Sequence, residues 1–522
     1  MTSKRTLVCA CAVIGAVVFL WVATILPRTT TALFASPDET AVMLFARAWS
    51  PTVGFRLPHR LPRDLADLVG LHPRSTVRQG DALVPVGFLG MPFLVMLAER
   101  VFTGLGAYLT ALLVLSSAYP LWRLARRVSA RVAWVTTLIY LTFPTILLYA
   151  NRGLFPNLPV VAFGLWSVWA FRVVRGPWSV VIGGLTLGLA LTIRPTEALW
   201  LLPWIAWAIW MSKTTWRRIL VACVVTTIVC LGGLWLAYQT YPGPRGWIPP
   251  IGYFLRDSTL ETVPGSEPAL SEVEGFPVPD VSLPFGFHPR VMWRNVWTYF
   301  GSTLGPWFAA SVLGAVIAVR RRRDTLTRSF ILVAGWTVGI LLLVYGQAVY
   351  TDNIRGSASL ANSFLRYMLP LTPLVAFGIA LLVEDARTLP KRGTLVATGL
   401  VVFFALYGVA VALNGDEESV LNTERQLVRY AEIRRLADEN LDPGTVILSE
   451  RSDKIFASGD FVAVSPFPPP ETIDAIVRSS TTVALFHRTP TGPDATLPGP
   501  LALYAFSYVF SVDNESMVIV WH

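Results

Sequence analysis

Long apolar runs alternate along this chain with short clusters of basic residues, and this alternation constrains the fold more than any other feature. Of the 522 residues, 53% are hydrophobic and only 15% are charged. A helix of about 20 apolar residues crosses the hydrocarbon core of a bilayer. We therefore predict an all-α transmembrane bundle of about eleven spans. The apolar runs lie at residues 7–26, 102–122, 132–150, 158–174, 180–193, 198–211, 219–238, 296–319, 330–349, 364–383 and 395–413.

The basic clusters orient these helices, because lysine and arginine concentrate in the cytoplasmic loops of membrane proteins. We predict an integral protein of the plasma or inner membrane, with its N-terminus cytoplasmic and its C-terminus extracytoplasmic. The net charge of +10 is distributed among such clusters and not over one basic face with interspersed aromatic residues, so no nucleic acid is expected. The clusters are Lys4 and Arg5; Arg123, Arg126, Arg127 and Arg131; Arg172 and Arg175; Lys213, Arg217 and Arg218; Arg320–Arg323; and Arg387, Lys391 and Arg392.

Two longer segments interrupt the predicted bundle on its outer side. The first outer loop covers residues 27–100, and its apolar stretch 81–98 predicts a helix lying at the membrane interface, ended by Glu99 and Arg100. The second covers residues 239–294, where Pro-Gly turns and sparse acidic residues predict a loop that carries no catalytic residue. The transmembrane domain is thereby predicted to extend over residues 1–413.

The composition changes after residue 413, where charged residues become frequent. A helical period at 417–440 precedes short β-rich runs and one further helix. We predict that residues 414–522 form a small extracytoplasmic α/β domain, which lacks a recognisable catalytic motif and so serves in docking or capping. The β-rich runs lie at 445–449, 461–464, 482–486 and 517–521, and the further helix at 470–480.

Two adjacent carboxylates, Asp38 and Glu39, follow the first apolar run. If that run spans the bilayer, both carboxylates lie beyond it on the outer side, where they could take part in catalysis. The alternative is that they only start an interfacial helix, since acidic side chains favour the first turn of a helix. The dipeptide alone does not decide between these interpretations.

Several segments resemble a known family in their order and spacing. The chain is similar to the polytopic GT-C glycosyltransferases, specifically the protein O-mannosyltransferase and aminoarabinose-transferase-like group that uses polyprenyl-phosphate sugars. The resemblance covers roughly residues 1–413, with Asn157 standing where many relatives carry an acid. It rests on Asp38-Glu39, on Gly87–Met91 and Leu94–Leu97 followed by Arg123-Leu-Ala-Arg-Arg127, on Leu141-Thr-Phe-Pro144 through Asn151-Arg-Gly-Leu-Phe-Pro-Asn157, on Gly188-Leu-Ala-Leu-Thr-Ile-Arg194-Pro-Thr196, and on Arg366-Tyr367-Met-Leu-Pro370-Leu-Thr-Pro373.

The resemblance implies an enzyme, a hexosyl- or pentosyltransferase that moves a sugar from a polyprenyl-phosphate donor to an acceptor hydroxyl at the outer face, with inversion. Asp38 would be the catalytic base, because the family places its acid there, and Glu39 would orient the acceptor or hold Asp38. Arg194 or Arg366 would hold the carrier phosphate, since guanidinium binds phosphate through two parallel hydrogen bonds. The alternatives for both arginines are interhelical ion pairs or snorkelling to the lipid headgroups.

The remaining candidate residues lie near the same predicted face. Arg152, Asn157 and Tyr367 could contact sugar or phosphate, although a short turn explains the first two and an interfacial aromatic residue the third. The expected partners are membrane lipid, the lipid-linked donor and an unnamed glycan, lipid or protein acceptor. No cofactor and no metal are predicted, because the outer-loop histidines His59, His72 and His288 lack ligand spacing.

Two other classes of function compete with the enzyme. A transporter or lipid flippase would use intramembrane arginines to line a pathway, but such proteins carry repeats with broken helices at matching positions. The charges here lie at the edges of the apolar runs and no such repeat is evident. A membrane scaffold that binds through its C-terminal domain would need far fewer spans than the sequence predicts.

Overall fold

The fold is predominantly helical, with two small β-sheets. The computed structural model describes residues 2–59, 65, 71–79, 81–174, 176–212, 215–241, 285–321, 325–350, 358–465, 467–468, 470–479, 482–488 and 504–521. Most of the predicted second outer loop therefore lies outside the described residues. The helices are α1 (Thr2–Ala23), α2 (Ile25–Thr29), α3 (Pro37–Ala48), α4 (Gly90–Val101), α5 (Leu105–Ala125), α6 (Ala130–Leu141), α7 (Pro144–Asn151), α8 (Asn157–Val173), α9 (Trp178–Ile193), α10 (Ala198–Ser212), α11 (Trp216–Thr240), α12 (Pro289–Asn295), α13 (Gly305–Arg321), α14 (Thr325–Tyr345), α15 (Ser363–Tyr367), α16 (Thr372–Ala386), α17 (Gly393–Asn414), α18 (Val420–Asn440), α19 (Asp453–Phe456) and α20 (Pro470–Arg478).

Each predicted apolar run coincides with one of these helices or with a neighbouring pair. Within the described parts of the chain, four helices are long and apolar enough to cross a membrane, and up to six spans result if two bent pairs each count once. One pair, α6 and α7, bends by 51° at Phe143-Pro144, where proline disfavours a helical conformation of the residue before it. The count of about eleven spans stays a prediction.

The predicted interfacial helix at 81–98 is wrong in its first half. Residues Ala82–Pro85 form a strand, and helix α4 begins only at Gly90. The strand is stabilised by antiparallel pairing with Thr76–Gln79, in which Val84 lies opposite Val77. A short apolar run fits either a buried strand or a helix, and the pairing partner decides between them.

The chain divides into two compact units, each assembled from separate segments. The first unit comprises Met1–Pro27, Ala107–Trp235 and Pro268–Thr423, and the second comprises Arg28–Gly106, Leu236–Glu267 and Glu424–His522. The predicted division into residues 1–413 and 414–522 stays a prediction.

Helices of the first unit approach each other closely at glycines. In α13 and α16, a Cβ atom on Gly314 would overlap the carbonyl oxygen of Gly378. Between α8 and α9, the Ser167 hydroxyl donates a hydrogen bond of 2.9 Å to the carbonyl of Gly183. Small residues at helix interfaces permit this backbone proximity, which favours dispersion contacts where no hydrophobic effect acts between helices.

The second unit contains both sheets. Strands β1 (Leu57–Pro58), β2 (Thr76–Gln79) and β3 (Ala82–Pro85) form an antiparallel sheet of order β1-β3-β2. The predicted C-terminal α/β fold is confirmed as a five-stranded sheet of order β5-β4-β6-β8-β7, in which β4 pairs in parallel with both β5 and β6. Its strands are β4 (Val446–Ser449), β5 (Val462–Val464), β6 (Val483–Arg488), β7 (Ala505–Val512) and β8 (Glu515–Trp521).

The core of this sheet extends beyond the C-terminal segment. Leu65 and Leu71, from the segment between the first two apolar runs, are buried with Val446, Val464 and Leu485 of the sheet. Burying a leucine side chain stabilises a fold by roughly 1.5–3 kcal/mol. The N-terminal segment and the C-terminal sheet therefore share one hydrophobic core within the second unit.

Candidate functional site

Arg194 lies where helix α9 ends in the first unit. Pro195 follows directly and begins a short 3-10 turn ending at Glu197. The Arg194 Nε atom lies 3.1 Å from Glu197 Oε1, and both side chains are largely buried. Glu197 also accepts hydrogen bonds from the Trp200 indole and from the Tyr345 hydroxyl, the latter at 3.3 Å. The buried carboxylate is thus fully engaged, and it fixes the guanidinium at the end of the helix.

Two tyrosines extend this pair into an aromatic stack. The rings of Tyr345 and Tyr367 are parallel within 6°, with centroids 4.5 Å apart. The Arg194 guanidinium lies 4.9 Å from the centre of the Tyr367 ring, and that of Arg366 lies 5.4 Å from the same centre. Tyr367 is therefore the side chain that two predicted phosphate-binding arginines share.

Arg366 is held at the end of the single-turn helix α15. Asn362 caps this helix by accepting a hydrogen bond of 2.9 Å from the backbone of Phe364. The Arg366 guanidinium donates a hydrogen bond of 2.9 Å to Ser363 Oγ and lies 4.5 Å from the centre of the Phe155 ring. The Phe155 ring also contacts Arg152, whose guanidinium lies 4.9 Å from the centre of the ring.

Arg152, Arg194 and Arg366 thus meet around two aromatic surfaces, together with the carboxylate of Glu197; we call this group the arginine cluster. The predicted sites Arg152, Arg194, Arg366 and Tyr367 all belong to it. Guanidinium groups on aromatic faces keep their N–H edges available for planar, two-pronged hydrogen bonding. Such a group is chemically suited to a phosphate.

Asn157 lies next to the arginine cluster in sequence, as the first residue of α8. It is only 3% exposed, and its Oδ1 atom has no hydrogen-bond partner among the described residues. A buried amide oxygen without a partner is costly, which favours a role in binding a hydrogen-bond donor. Its assignment to sugar or phosphate remains a prediction.

The first unit also contains an apolar groove, which includes neighbours of the arginine cluster among its lining residues. Trp200, whose indole binds Glu197, and Pro370, three residues after Tyr367, both line it. Arg127 and Arg172 lie among the lining residues contributed by the predicted cytoplasmic ends of α5 and α8. The walls between them are apolar: Leu121, Leu124, Val161, Leu165, Val168, Trp204, Trp207, Phe330, Pro373, Leu374 and Phe377.

Asp38 and Glu39 belong to the second unit and occupy the first turn of α3. Ser36 caps the helix by accepting a hydrogen bond from the Asp38 backbone, and the Ser75 hydroxyl donates one of 2.6 Å to Asp38 Oδ1. Glu39 is only 2% exposed. Acidic side chains at the start of a helix are normally solvated, so the burial of Glu39 favours a role beyond stabilising the start of the helix.

Several residues in and around the arginine cluster carry no separate signal in the sequence. Glu197 could have been found, because it follows Arg194 by three residues at the edge of an apolar run. Tyr345, Phe155 and Ser363 reach the cluster only through tertiary contacts. Within the described parts of the chain, no group of three or more His, Cys, Asp or Glu side chains could hold a metal ion, and the absence of a metal stays a prediction. Asp81 is exposed and pairs at 3.7 Å with Arg56.

Comparison with known proteins gives a likeness of structure rather than of sequence. No protein-family model and no curated protein sequence matches the chain. Two crystal structures of ArnT from Cupriavidus metallidurans match it along essentially its whole length. The structure bound to undecaprenyl phosphate has a TM-score of 0.55, 13% identity, and coverage of 100% of this chain and 98% of ArnT. The apo structure has a TM-score of 0.58, 13% identity, and coverage of 99% and 98%.

The chain has the ArnT fold. The resemblance to the GT-C group, which was drawn from five short segments, is confirmed at this level. The likeness also extends beyond residue 413, because the alignment with ArnT includes the C-terminal sheet.

Proposed function

We propose that this protein is an integral membrane glycosyltransferase, which transfers a sugar from a polyprenyl-phosphate donor to an acceptor hydroxyl at the extracytoplasmic face, with inversion. The observation that carries the proposal is the arginine cluster, to which the apolar groove of the same unit is linked through Trp200. The ArnT fold supports it, since one ArnT structure holds undecaprenyl phosphate. A group of arginines and an apolar groove in one unit match a ligand with a charged head and a long hydrocarbon tail.

The carrier phosphate is bound by Arg194 and Arg366. Both guanidinium groups rest on Tyr367, so each can turn an N–H edge to the phosphate while its face stays covered. Glu197 holds Arg194 in place and offsets part of the repulsion between the arginines. The isoprenoid tail follows the groove past Trp204 and Phe377. Arg152, which like Arg366 contacts the Phe155 ring, and Asn157 bind the sugar or the phosphate.

Transfer is a single in-line displacement. The acceptor oxygen attacks the anomeric carbon, the bond between that carbon and the phosphate oxygen breaks, and the phosphate leaves with the bonding electrons. Asp38 takes the hydroxyl proton as general base, and Glu39 orients the acceptor. The arginines stabilise the negative charge that develops on the departing phosphate. Because one displacement occurs, the configuration at the anomeric carbon inverts.

The first experiment changes Asp38 in the full-length protein. Asp38→Asn should reduce transfer from synthetic polyprenyl-phosphate mannose, glucose or aminoarabinose by about 100-fold or more, the usual contribution of a general base. Binding of radiolabelled undecaprenyl phosphate should be unchanged. Glu439→Gln, at an exposed carboxylate of α18, is the matched control. Wild-type transfer by Asp38→Asn would remove Asp38 from the mechanism.

The second experiment changes the arginine cluster. Arg366→Gln and Arg194→Gln should each weaken undecaprenyl phosphate binding by about 10- to 100-fold, since charge-assisted hydrogen bonds contribute about 1.5–3 kcal/mol. Unchanged binding in both variants would contradict the proposed phosphate site. If the purified protein moved undecaprenyl phosphate across vesicles and transferred none of the sugars, the transporter or flippase would replace the enzyme as the better account.

A further inference from the structure

A clasp joins the C-terminal domain to the segment that carries the acidic pair, entirely within the second unit. Arg74 donates hydrogen bonds to Asp453 from its backbone N and from its side-chain Nε, both at 2.8 Å, and from Nη2 at 2.6 Å. The Nη2 atom also reaches the carbonyl of Arg451 at 2.6 Å. Asp453 is only 1% exposed. Two side-chain N–H groups of Arg74 thus converge on Oδ1 of this buried carboxylate while the backbone N–H binds Oδ2, and such charge-assisted hydrogen bonds are stronger than neutral ones.

A second contact of the same domain reaches the start of α3. Lys454 Nζ donates a hydrogen bond of 2.6 Å to the carbonyl of Ala35, the residue before the helix cap Ser36. The Lys454 ammonium also lies 5.1 Å from the centre of the Tyr430 ring. The segment that leads into α3 is therefore held by Lys454, and the residue before Lys454 in α19 is Asp453, which binds Arg74.

Ser75 connects the clasp to the acidic pair. It directly follows Arg74, and its hydroxyl donates a hydrogen bond of 2.6 Å to Asp38 Oδ1. Its backbone has a φ of 60°, in the left-handed region. That conformation costs a non-glycine residue about 1 kcal/mol or more and persists only where the surroundings enforce it. The Arg74–Asp453 contacts on the preceding residue supply that enforcement.

We propose that Arg74, Ser75 and Asp453 are positioning residues, through which the C-terminal domain sets the orientation of the Asp38 carboxylate. This inference rests on the proposed function, because it concerns the base of the proposed reaction. The hydrogen bond from Ser75 to Oδ1 fixes how the Asp38 carboxylate is turned. The C-terminal domain is then part of the transfer machinery as well as a structural cap.

The test separates turnover from binding. Asp453→Asn and Arg74→Gln should each lower kcat by about 10- to 100-fold, as expected for a slightly misplaced catalytic group. The KM for the polyprenyl-phosphate donor should change less than about 2-fold, since the phosphate is bound by residues of the arginine cluster. Arg74→Lys should recover little, because a single ammonium cannot reproduce the two-pronged contact. Arg435→Gln, from an exposed ion pair of α18, is the control and should leave kcat unchanged.

Ser75 provides a variant that does not depend on the buried ion pair. Ser75→Gly removes the hydroxyl while relieving the left-handed strain, so the protein should be at least as stable to heat as the wild type yet slower in kcat. Ser75→Ala should lose the same activity and also some stability. If Asp453→Asn fails to fold, Ser75→Gly alone decides the question.

The two proposals fail in distinguishable ways. Wild-type kcat in Ser75→Gly, with Asp38→Asn inactive, would overturn the positioning role and leave the glycosyltransferase intact. An increase in donor KM equal to the loss in kcat would also overturn it, since the damage would then lie in binding. Full activity in Asp38→Asn would overturn the base and, with it, the role of the residues that position it.

Discussion

At the scale of single residues, Tyr367 has the densest set of contacts with the predicted phosphate ligands. Its ring contacts the guanidinium groups of both Arg194 and Arg366, and it stacks on Tyr345. Each cation–π contact contributes about 0.5–2 kcal/mol, with the larger values at desolvated sites. One side chain therefore orients two cations that would otherwise repel each other.

Removing the ring should release both arginines. Tyr367→Leu is expected to weaken undecaprenyl phosphate binding by about 10-fold, which corresponds to about 1.4 kcal/mol. Tyr367→Phe keeps the ring and should bind like the wild type. Equilibrium binding of the radiolabelled carrier to both variants is the measurement. Equal losses in Phe and Leu would assign the effect to the hydroxyl, through a hydrogen bond to the phosphate, and not to the ring.

His59, in the second unit, should make stability depend on pH. Burial lowers the pKa of His59 from 6.5 to about 4, and repulsion from Arg78 adds to the effect. The unfolded chain therefore binds more protons than the folded chain between these two values, so the free energy of unfolding falls as the pH is lowered through that window.

The thermal midpoint of the detergent-purified protein should accordingly decrease between about pH 7 and pH 5. His59→Gln should decrease less over the same interval, since its side chain does not titrate. A His59→Gln variant with undiminished pH dependence would show that other groups dominate.

Among the candidate residues, those that the sequence could identify are charged side chains at the edges of apolar runs. Arg194 and Arg366 stand out because a charge near membrane depth is expensive and needs a function or a partner. Their partners could not be identified, because Tyr345 precedes Tyr367 by more than 20 residues in the sequence and Phe155 is one of many aromatic residues. Contacts between distant parts of a chain leave no periodic signal in a single sequence.

At the scale of elements, the helices and C-terminal strands follow from period and composition, whereas sheet partners do not. Strand β7 was not predicted, since its exposed face carries Phe506 and Tyr508 and its pattern is interrupted by a bulge. The segment that forms strand β3 was predicted as a helix, because a short apolar run fits either conformation. In both cases a neighbouring strand, and not the local sequence, determines the conformation.

The pairing of α9 with α11 in the first unit depends on two glycines one turn apart. A Cβ atom on Gly184 would lie 2.6 Å from the carbonyl oxygen of Ala222, and one on Gly188 would lie 2.7 Å from the side chain of Val229. The hydroxyl of Thr226 donates a hydrogen bond of 3.0 Å to the carbonyl of Gly184. The helices can approach this closely only because both positions lack side chains.

Gly184→Leu should separate the two helices and lower the thermal midpoint by several degrees, in keeping with the 1–3 kcal/mol that overpacking commonly costs. Gly399→Leu is the matched control, because a Cβ atom there meets nothing within 4 Å. Thermal unfolding of both variants in the same detergent measures the difference. Equal midpoints would show that α9 and α11 can part without loss of stability.

At the scale of the whole molecule, the sequence indicates the class of fold through its apolar runs but not how the chain is distributed between units. The segment with Asp38 and the C-terminal sheet form one unit although more than 400 residues separate Asp38 from strand β4. No local sequence pattern indicates that Leu65 and Leu71 complete the core of the sheet. The likeness to ArnT covers 100% of this chain and so includes both of these segments.

Because the first unit contains an apolar groove, the affinity of the proposed donor site should depend on the length of the isoprenoid tail. If the phosphate is bound by the arginine cluster and the tail by the groove, affinity should increase with the number of isoprene units that the groove covers. Leu374→Trp, in the groove wall, should therefore weaken undecaprenyl phosphate more than geranyl phosphate, whose tail ends sooner. Leu332→Trp, at an exposed position of α14, should affect neither. Equal weakening of the two carriers would place the tail elsewhere, because an obstructed groove can hinder only the part of a ligand that enters it.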